Sequence, residues 1–275
     1  MPRKDSVMNY ENRVKEHFWA VGDSLHPNIF AIGLYGSQNY KLDTVNSDVD
    51  TKMMIIPSFK DIVLSKTPIS LIHTMENNEH CDIKDIRLMF QNFKKQNINF
   101  LEILFGFTIN PIFYNNEFKM LIDNREMIAR YNNYAFINAV AGMAMEKYKA
   151  LCHPYPTIKW KIDKWGYDGK QLHHIVRLAC FLDMWLKGAP FEECLVNSHQ
   201  SQGQTQFLLD CKNNVLSLER ALEDAKYYSG ELQQMKKDYM DNTSFQINKD
   251  VDALLEEVLV KVFTKSFKEE LNSGE

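Results

Sequence analysis

The sequence predicts an α+β fold: a small mixed β-sheet domain over residues 1–112, followed by a helical domain over residues 113–275. Three observations predict it. Short strand-like runs at 28–35, 49–56 and 79–84 are joined by connections that suit antiparallel or mixed pairing. The character changes after Gly106, where Pro111 and the Asn115-Asn116 pair mark a connection, and almost everything beyond has helical period. The 275 residues, 45% hydrophobic and 25% charged, suffice for one large or two small domains with a substantial core.

Each element has a local reason. Residues 10–21 form a first helix, with Val14, Phe18, Trp19 and Val21 on a rough apolar face. The strand at 28–35 ends in Ile32, Leu34 and Tyr35, and the apolar run Met53-Met54-Ile55-Ile56 buries the strand at 49–56. Pro57-Ser58 ends that strand, a short helix follows at 59–64, and 68–73 is either a minor strand or an irregular connection. His80, Asp82 and Lys84 alternate with Cys81 and Ile83, the period of a half-buried strand. Ile86, Met89, Phe90 and Phe93 give a helix over 86–95, capped by Asp85. Further helices are expected at 117–128, 134–151, 170–187, 216–240 and 251–267, and Gly188-Ala189-Pro190 ends the third of these. A polar loop at 198–204 carries Gln200, Gln202 and Gln204 and is expected to be a disordered connection.

The chemistry concentrates early in the chain. Gly36-Ser37 is a turn after the first strand, where backbone amides can approach a phosphate closely. Ten residues later, Asp48 and Asp50 leave the same face of the second strand. Two adjacent carboxylates that open a buried strand repel unless a cation lies between them, and hard oxygen ligands suit Mg2+ bound together with substrate phosphates. Lys52 leaves the same strand face, either to contact phosphate or to form a salt bridge with one Asp. Far downstream, Lys170, His174 and Arg177 fall in a narrow arc of one helix, while Leu172, Ile175, Val176, Ala179 and Leu182 fall opposite. That basic stripe is expected to point away from the core, as a solvated face or as a triphosphate contact.

Gly36-Ser37, the spacer and Ser47-Asp48-Val49-Asp50 resemble the signature of the nucleotidyltransferase superfamily that includes DNA polymerase beta. The resemblance implies that Ser37 contacts the triphosphate and that Asp48 and Asp50 hold two Mg2+ or Mn2+ ions. It also implies a third carboxylate on a neighbouring strand. Asp82 is the candidate, with Glu79 and Asp85 as rivals. Tyr167-Asp168-x-Lys170 with His174 and Arg177, and Asn97-x-Asn99-x-x-Glu102-x-Leu104, are similar to segments of a subgroup of predicted bacterial and phage nucleotidyltransferases. For that subgroup the resemblance implies a polymerase-beta-like domain joined to a helical region. The expected catalytic and metal residues are therefore Asp48, Asp50 and Asp82. The expected nucleotide-binding residues are Gly36, Ser37, Lys52, Lys170, His174 and Arg177.

The remaining composition narrows the setting. A net charge of −4 and a pI near 6.1 argue against a non-specific nucleic-acid binder but not against a local basic groove. Five scattered cysteines without zinc spacing predict reduced thiols in a cytoplasmic protein. No run is long enough to span a membrane, and no signal segment opens the chain. Trp160 and Trp165, between the prolines at 154 and 156 and the basic helix, are expected as core or interface anchors, with a lid over the nucleotide as the alternative. The expected reaction moves a nucleoside monophosphate from an NTP to an RNA end, a protein hydroxyl or a small molecule. A catalytically silent nucleotide sensor or antitoxin-type partner, and a helical interaction protein with a structural acidic pair, are the alternatives.

Overall fold

The computed structural model describes residues 7–21, 28–43, 47–109, 113–196 and 201–273. They form an α+β structure that divides into two compact units. The first comprises residues 1–131 and 247–275, the second residues 132–246.

In the first unit, α1 (Val7–Ala20) precedes strands β1 (Ile29–Tyr35) and β2 (Asp50–Ile55). Helix α2 (Phe59–Val63) and strand β3 (Ser70–Thr74) lead to β4 (His80–Asp85), α3 (Ile86–Lys94) and α4 (Ile98–Ile109). Strand β5 (Phe113–Tyr114) and helices α5 (Phe118–Asp123) and α6 (Arg125–Ala129) complete the first passage. The five strands lie in the order β3-β4-β2-β1-β5. Pairing is antiparallel except between β2 and β4, so the sheet is mixed, as the sequence predicts. The strand-like run at 68–73 is a true strand, and it takes an edge of the sheet.

The two faces of this sheet differ in character because successive side chains alternate. Ile32 and Leu34 of β1, Met53 and Ile55 of β2, and Cys81 and Ile83 of β4 share one face with Val14 of α1 in a buried apolar cluster. The cluster fixes the register, since a one-residue slip would turn its apolar set outward. Asp85 caps α3 as expected, its carboxylate accepting from Arg87 N at 2.8 Å.

The second unit contains α7 (Asn133–Ala150), α8 (Lys159–Trp165), α9 (Gly169–Leu186), α10 (Phe191–Leu195), α11 (Gln202–Lys212) and α12 (Leu218–Asn242). Helix α9 packs against α7, α10, α11 and α12. Phe136, Phe181, Trp185 and Phe191 form an aromatic cluster between α7, α9 and α10, with Phe136 and Trp185 centroids 4.9 Å apart. The Tyr167-Asp168-Gly169 segment locks the start of α9. Tyr167 OH donates to Leu216 O at 2.8 Å, and Asn214 Nδ2 donates to Tyr167 O at 2.9 Å. At Gly169 a Cβ would stand 2.2 Å from Cys211 O, so no larger residue fits there.

Three expectations change. The single helix at 117–128 is two, α5 and α6, separated at Asn124. The polar loop at 198–204 lies outside the described residues up to 200, but from Gln202 the chain is helical. Ser201 and Gln204 form a reciprocal capping box there. The boundary at 112/113 moves to Tyr131 and Ile247, because α13 (Lys249–Ser273) belongs to the first unit. Asn248 N donates to Tyr131 O at 2.9 Å, Lys94 pairs with Asp252 at 2.5 Å, and Phe59 meets Phe267 edge-on at 5.5 Å. Among the described residues, no helix is long and apolar enough to cross a membrane.

Candidate active site

The sheet face opposite the α1 cluster carries the charged residues. The register pairs Tyr35 with Asp50, Gly33 with Lys52, and Lys52 with Asp82. Asp50 and Lys52 of β2 therefore share a face with His80, Asp82 and Lys84 of β4, and the turn at Gly36 begins beside Asp50. Asp50, Asp82 and the turn thus lie at one end of the same sheet face, with Asp48 just ahead of the strand. This arrangement arises because β2 and β4 run parallel, so both present their N-terminal ends on one side.

The turn is built by its own side chains. Gly36 has φ +98°, a left-handed conformation that favours glycine. Asn39 N and Tyr40 N donate to Gly36 O and Ser37 O at 3.0 and 3.2 Å. Gln38, Asn39 and Tyr40 are all buried. Gln38 Nε2 donates to Asp48 O at 2.5 Å and Asn39 Nδ2 to Leu34 O at 3.0 Å, which ties the turn to both strands. Glu102 of α4, 1% exposed, accepts from Tyr40 OH and from Gly36 N at 3.4 Å. The Gly36 N–H thus points at Glu102. Sequence reasoning noted Glu102 only as part of a similar segment; its role is to hold the turn.

The carboxylates have unlike surroundings. Asp48 is exposed and precedes β2. Asp50 is half-buried and accepts from His80 N at 3.0 Å, with His80 Nδ1 at 3.3 Å. Asp82 lies between two ammonium groups, Lys52 Nζ at 2.9 Å and Lys84 Nζ at 3.1 Å. Lys52 is 3% exposed, and its Nζ lies 3.9 Å from the Tyr35 ring centroid and 4.3 Å from that of Phe100. The aromatic faces and the carboxylate together compensate the buried charge. Among the described residues, no three His, Cys, Asp or Glu side chains converge into a set able to hold a metal ion. Burial pushes the Cys81 thiol up to about 11, which removes it as a nucleophile at neutral pH.

A buried polar network supports the site from the other face of the sheet. Glu79, 6% exposed, accepts from Arg13, from His17 Nε2 at 3.1 Å and from Val49 N at 3.0 Å. His17 is fully buried, and its Nδ1 lies 2.9 Å from Thr51 Oγ1. Val49 is the residue between Asp48 and Asp50, so Glu79 fixes the backbone that presents them. The sequence offered Glu79 only as a rival metal ligand, because partners 30 to 66 residues away leave no local signal.

In the helical unit, Lys170, His174 and Arg177 do not form one solvated stripe. Lys170 is exposed, His174 is half-buried and Arg177 is 3% exposed. The reason is that α9 has neighbours on several sides. Periodicity marks one apolar face but is silent on how many helices pack against the others. Burial, aided by the nearby Arg177 charge, holds His174 well below its ordinary pKa, so its imidazole is neutral at pH 7. His173 is buried, and its Nδ1–H donates to Leu208 O at 2.9 Å. Burial lowers its pKa from 6.5 to about 4. The unfolded chain then binds a proton before the folded one does, so this contribution is full above about pH 6.5 and is lost as pH falls towards 4. It amounts to about 3 kcal/mol. Urea unfolding at pH 7 and at about pH 4.5 should show this loss, and His173→Asn should shrink it. An equal acid loss in the variant would count against His173 as the source.

No known protein-family model matches the chain, and no curated protein matches it. A solved structure described as a nucleotidyltransferase-like protein from Exiguobacterium sibiricum 255-15 is similar at 11% identity, covering 85% of this chain and 75% of that one, with a TM-score of 0.29. Likeness at that level is too loose to carry chemistry, and the residues of the site have to carry it.

Proposed function

We propose that the protein is a nucleotidyltransferase that moves a nucleoside monophosphate from an NTP to an acceptor hydroxyl and releases pyrophosphate. The observation that supports this is the register Tyr35–Asp50 and Lys52–Asp82, which sets Asp50 beside the Gly36 turn and on the same sheet face as Asp82, with Asp48 just ahead of the strand. Asp48 and Asp50 fit a divalent ion as accessible hard oxygen donors. Asp82 fits one only when Lys52 or Lys84 releases it. Asp48 and Asp50 are the residues that would hold Mg2+ or Mn2+, which would supply Lewis-acid charge at the α-phosphate; Asp82, engaged by Lys52 and Lys84, could join them only after that release.

The chain's own residues do the rest. Lys52 exchanges Asp82 for a phosphate oxygen of the arriving triphosphate, keeping its charge paired throughout. The freed Asp82 carboxylate accepts the proton of the attacking hydroxyl. Ser37, on the turn fixed by Glu102 and Gln38, contacts the triphosphate.

The Lys52–Asp82 pair also favours a second reading, a nucleotide-binding module that does not turn over, since a locked Asp82 cannot take a proton. Incubation with Mg2+ and each NTP, labelled at the α or γ position, separates the two when total RNA or protein is the acceptor. Transfer predicts α label in the acceptor with pyrophosphate released. Unchanged nucleotide that binds with Mg2+ supports the silent module. Label arriving from the γ position means a kinase and refutes the proposed reaction.

A further inference from the structure

Between α7 and α9 the chain makes an excursion that nucleotidyl transfer does not use. It departs at Leu151 and returns at Asp168, whose backbone N–H donates to Leu151 O at 2.8 Å, so its two ends are pinned together. Most of the intervening residues are exposed. Compact loops closed at the base in this way are frequently functional.

Its composition is unusual for a solvated loop. Trp160 is 58% exposed and Tyr155 48%. Trp160 lies 5.6 Å from Trp165 centroid to centroid, and Lys164 Nζ lies 4.3 Å from the Trp165 ring. The two tryptophans were expected as core or interface anchors; neither is buried, and Trp160 faces water. From Lys147 to Lys170 there are six lysines against two aspartates, a surplus of four positive charges in a chain whose net charge is −4. Two of these lysines are paired, Lys159 with Asp163 and Lys161 with Asp168. Lys149, Lys164 and Lys170 are exposed, and Lys164 is the one that lies over the Trp165 ring.

Large aromatic surface left in water asks for a partner. The surrounding charge selects which partner. Protein interfaces favour Trp and Tyr but are depleted in Lys. A single nucleic-acid strand needs both, rings for the base faces and cations for the phosphates. A duplex hides its base faces and would leave the tryptophan unused. We propose that residues 152–167, with Lys149 and Lys170 at their base, form a docking platform for single-stranded nucleic acid. The inference is independent of the nucleotidyl transfer reading, because binding is read without nucleotide or metal.

The test is fluorescence anisotropy of a labelled oligo(U) of about twelve residues against the full-length protein. Binding should quench tryptophan emission and weaken steeply between about 50 and 200 mM salt. Trp160→Ala should weaken it about tenfold, in line with one lost base stack. Tyr155→Ala should weaken it in the same direction, and Lys164→Ala should lower the salt slope. Circular dichroism would establish that the variants fold, as exposed positions allow. Equal affinity for a duplex of matched length, equal competition by heparin, or unchanged binding in both aromatic variants would overturn the platform. So would an absence of binding at low salt, which would leave a protein partner as the occupant.

Discussion

Asp50→Ala should abolish Mg2+-dependent transfer of α-phosphate label, with a loss on the order of 10²–10³-fold or more, the scale seen when a charge-stabilising group is removed from a reaction centre. Asp50 is the carboxylate of the acidic pair that lies within the sheet. It faces Tyr35 across the β1–β2 ladder, one residue from the Gly36 turn, and its oxygen is oriented by His80 N. Its side chain is 35% exposed and holds no buried charge in place. The variant should therefore unfold within about 1 kcal/mol of the wild type, as for partly exposed pairs. Transfer rate and urea midpoint, measured on the same preparation, separate the two effects. Asp50→Asn keeps the shape and a hydrogen-bond acceptor but not the charge, so it should be nearly as inactive. A rate within about threefold of wild type in both variants would remove Asp50 from the reaction centre.

Glu79→Ala should be the most destabilising single change near the site. Its carboxylate serves Arg13, His17 and Val49 N together, in a place almost closed to water. Removing it leaves a fully buried imidazole and a backbone N–H without this acceptor, and a partly buried guanidinium with only Glu16. The loss of one partner of a buried pair typically costs about 3–5 kcal/mol. Part of Arg13 reaches solvent, so the lower end, about 3 kcal/mol, is expected. Activity should fall as well, because Val49 N is the peptide between the two aspartates. Glu79→Gln retains an acceptor for Val49 N and should recover part of both. If the alanine variant keeps wild-type stability but loses transfer, Glu79 acts directly on substrate or metal and not as a support.

The sequence disclosed the parts that depend on neighbours along the chain. Alternation marked β4, the Asp85 cap marked the start of α3, and the motif spacing brought the turn and Asp50 together. It did not disclose α4, because Ile98 to Ile109 is apolar on nearly every side and shows no stripe. Nor did it disclose what Lys52 does. Two roles were open, and only the parallel register with β4 shows the ammonium resting on Asp82. Arg177 illustrates the opposite error. An arc of cations on a helical wheel was legible, but a wheel drawn for one helix cannot show that four others surround it. The Ser201-x-x-Gln204 spacing is a capping-box pattern, but the run of polar glutamines around it has the composition of a loop.

The clasp between Tyr131 and Asn248 has a consequence for how the protein is made. The ribosome delivers the sheet and its acidic face early, then the whole helical insert, and only afterwards the segment from 247 onwards that closes the first unit. Domains form as their sequence emerges, so the insert is complete while the sheet unit still lacks α13. Until then Lys94, Phe59 and Tyr131 stand without the partners that α13 provides. A nascent chain stalled within the helical insert would thus carry every aspartate of the site on an unfinished scaffold. Limited proteolysis of stalled chains should find the insert protected first and the sheet unit last.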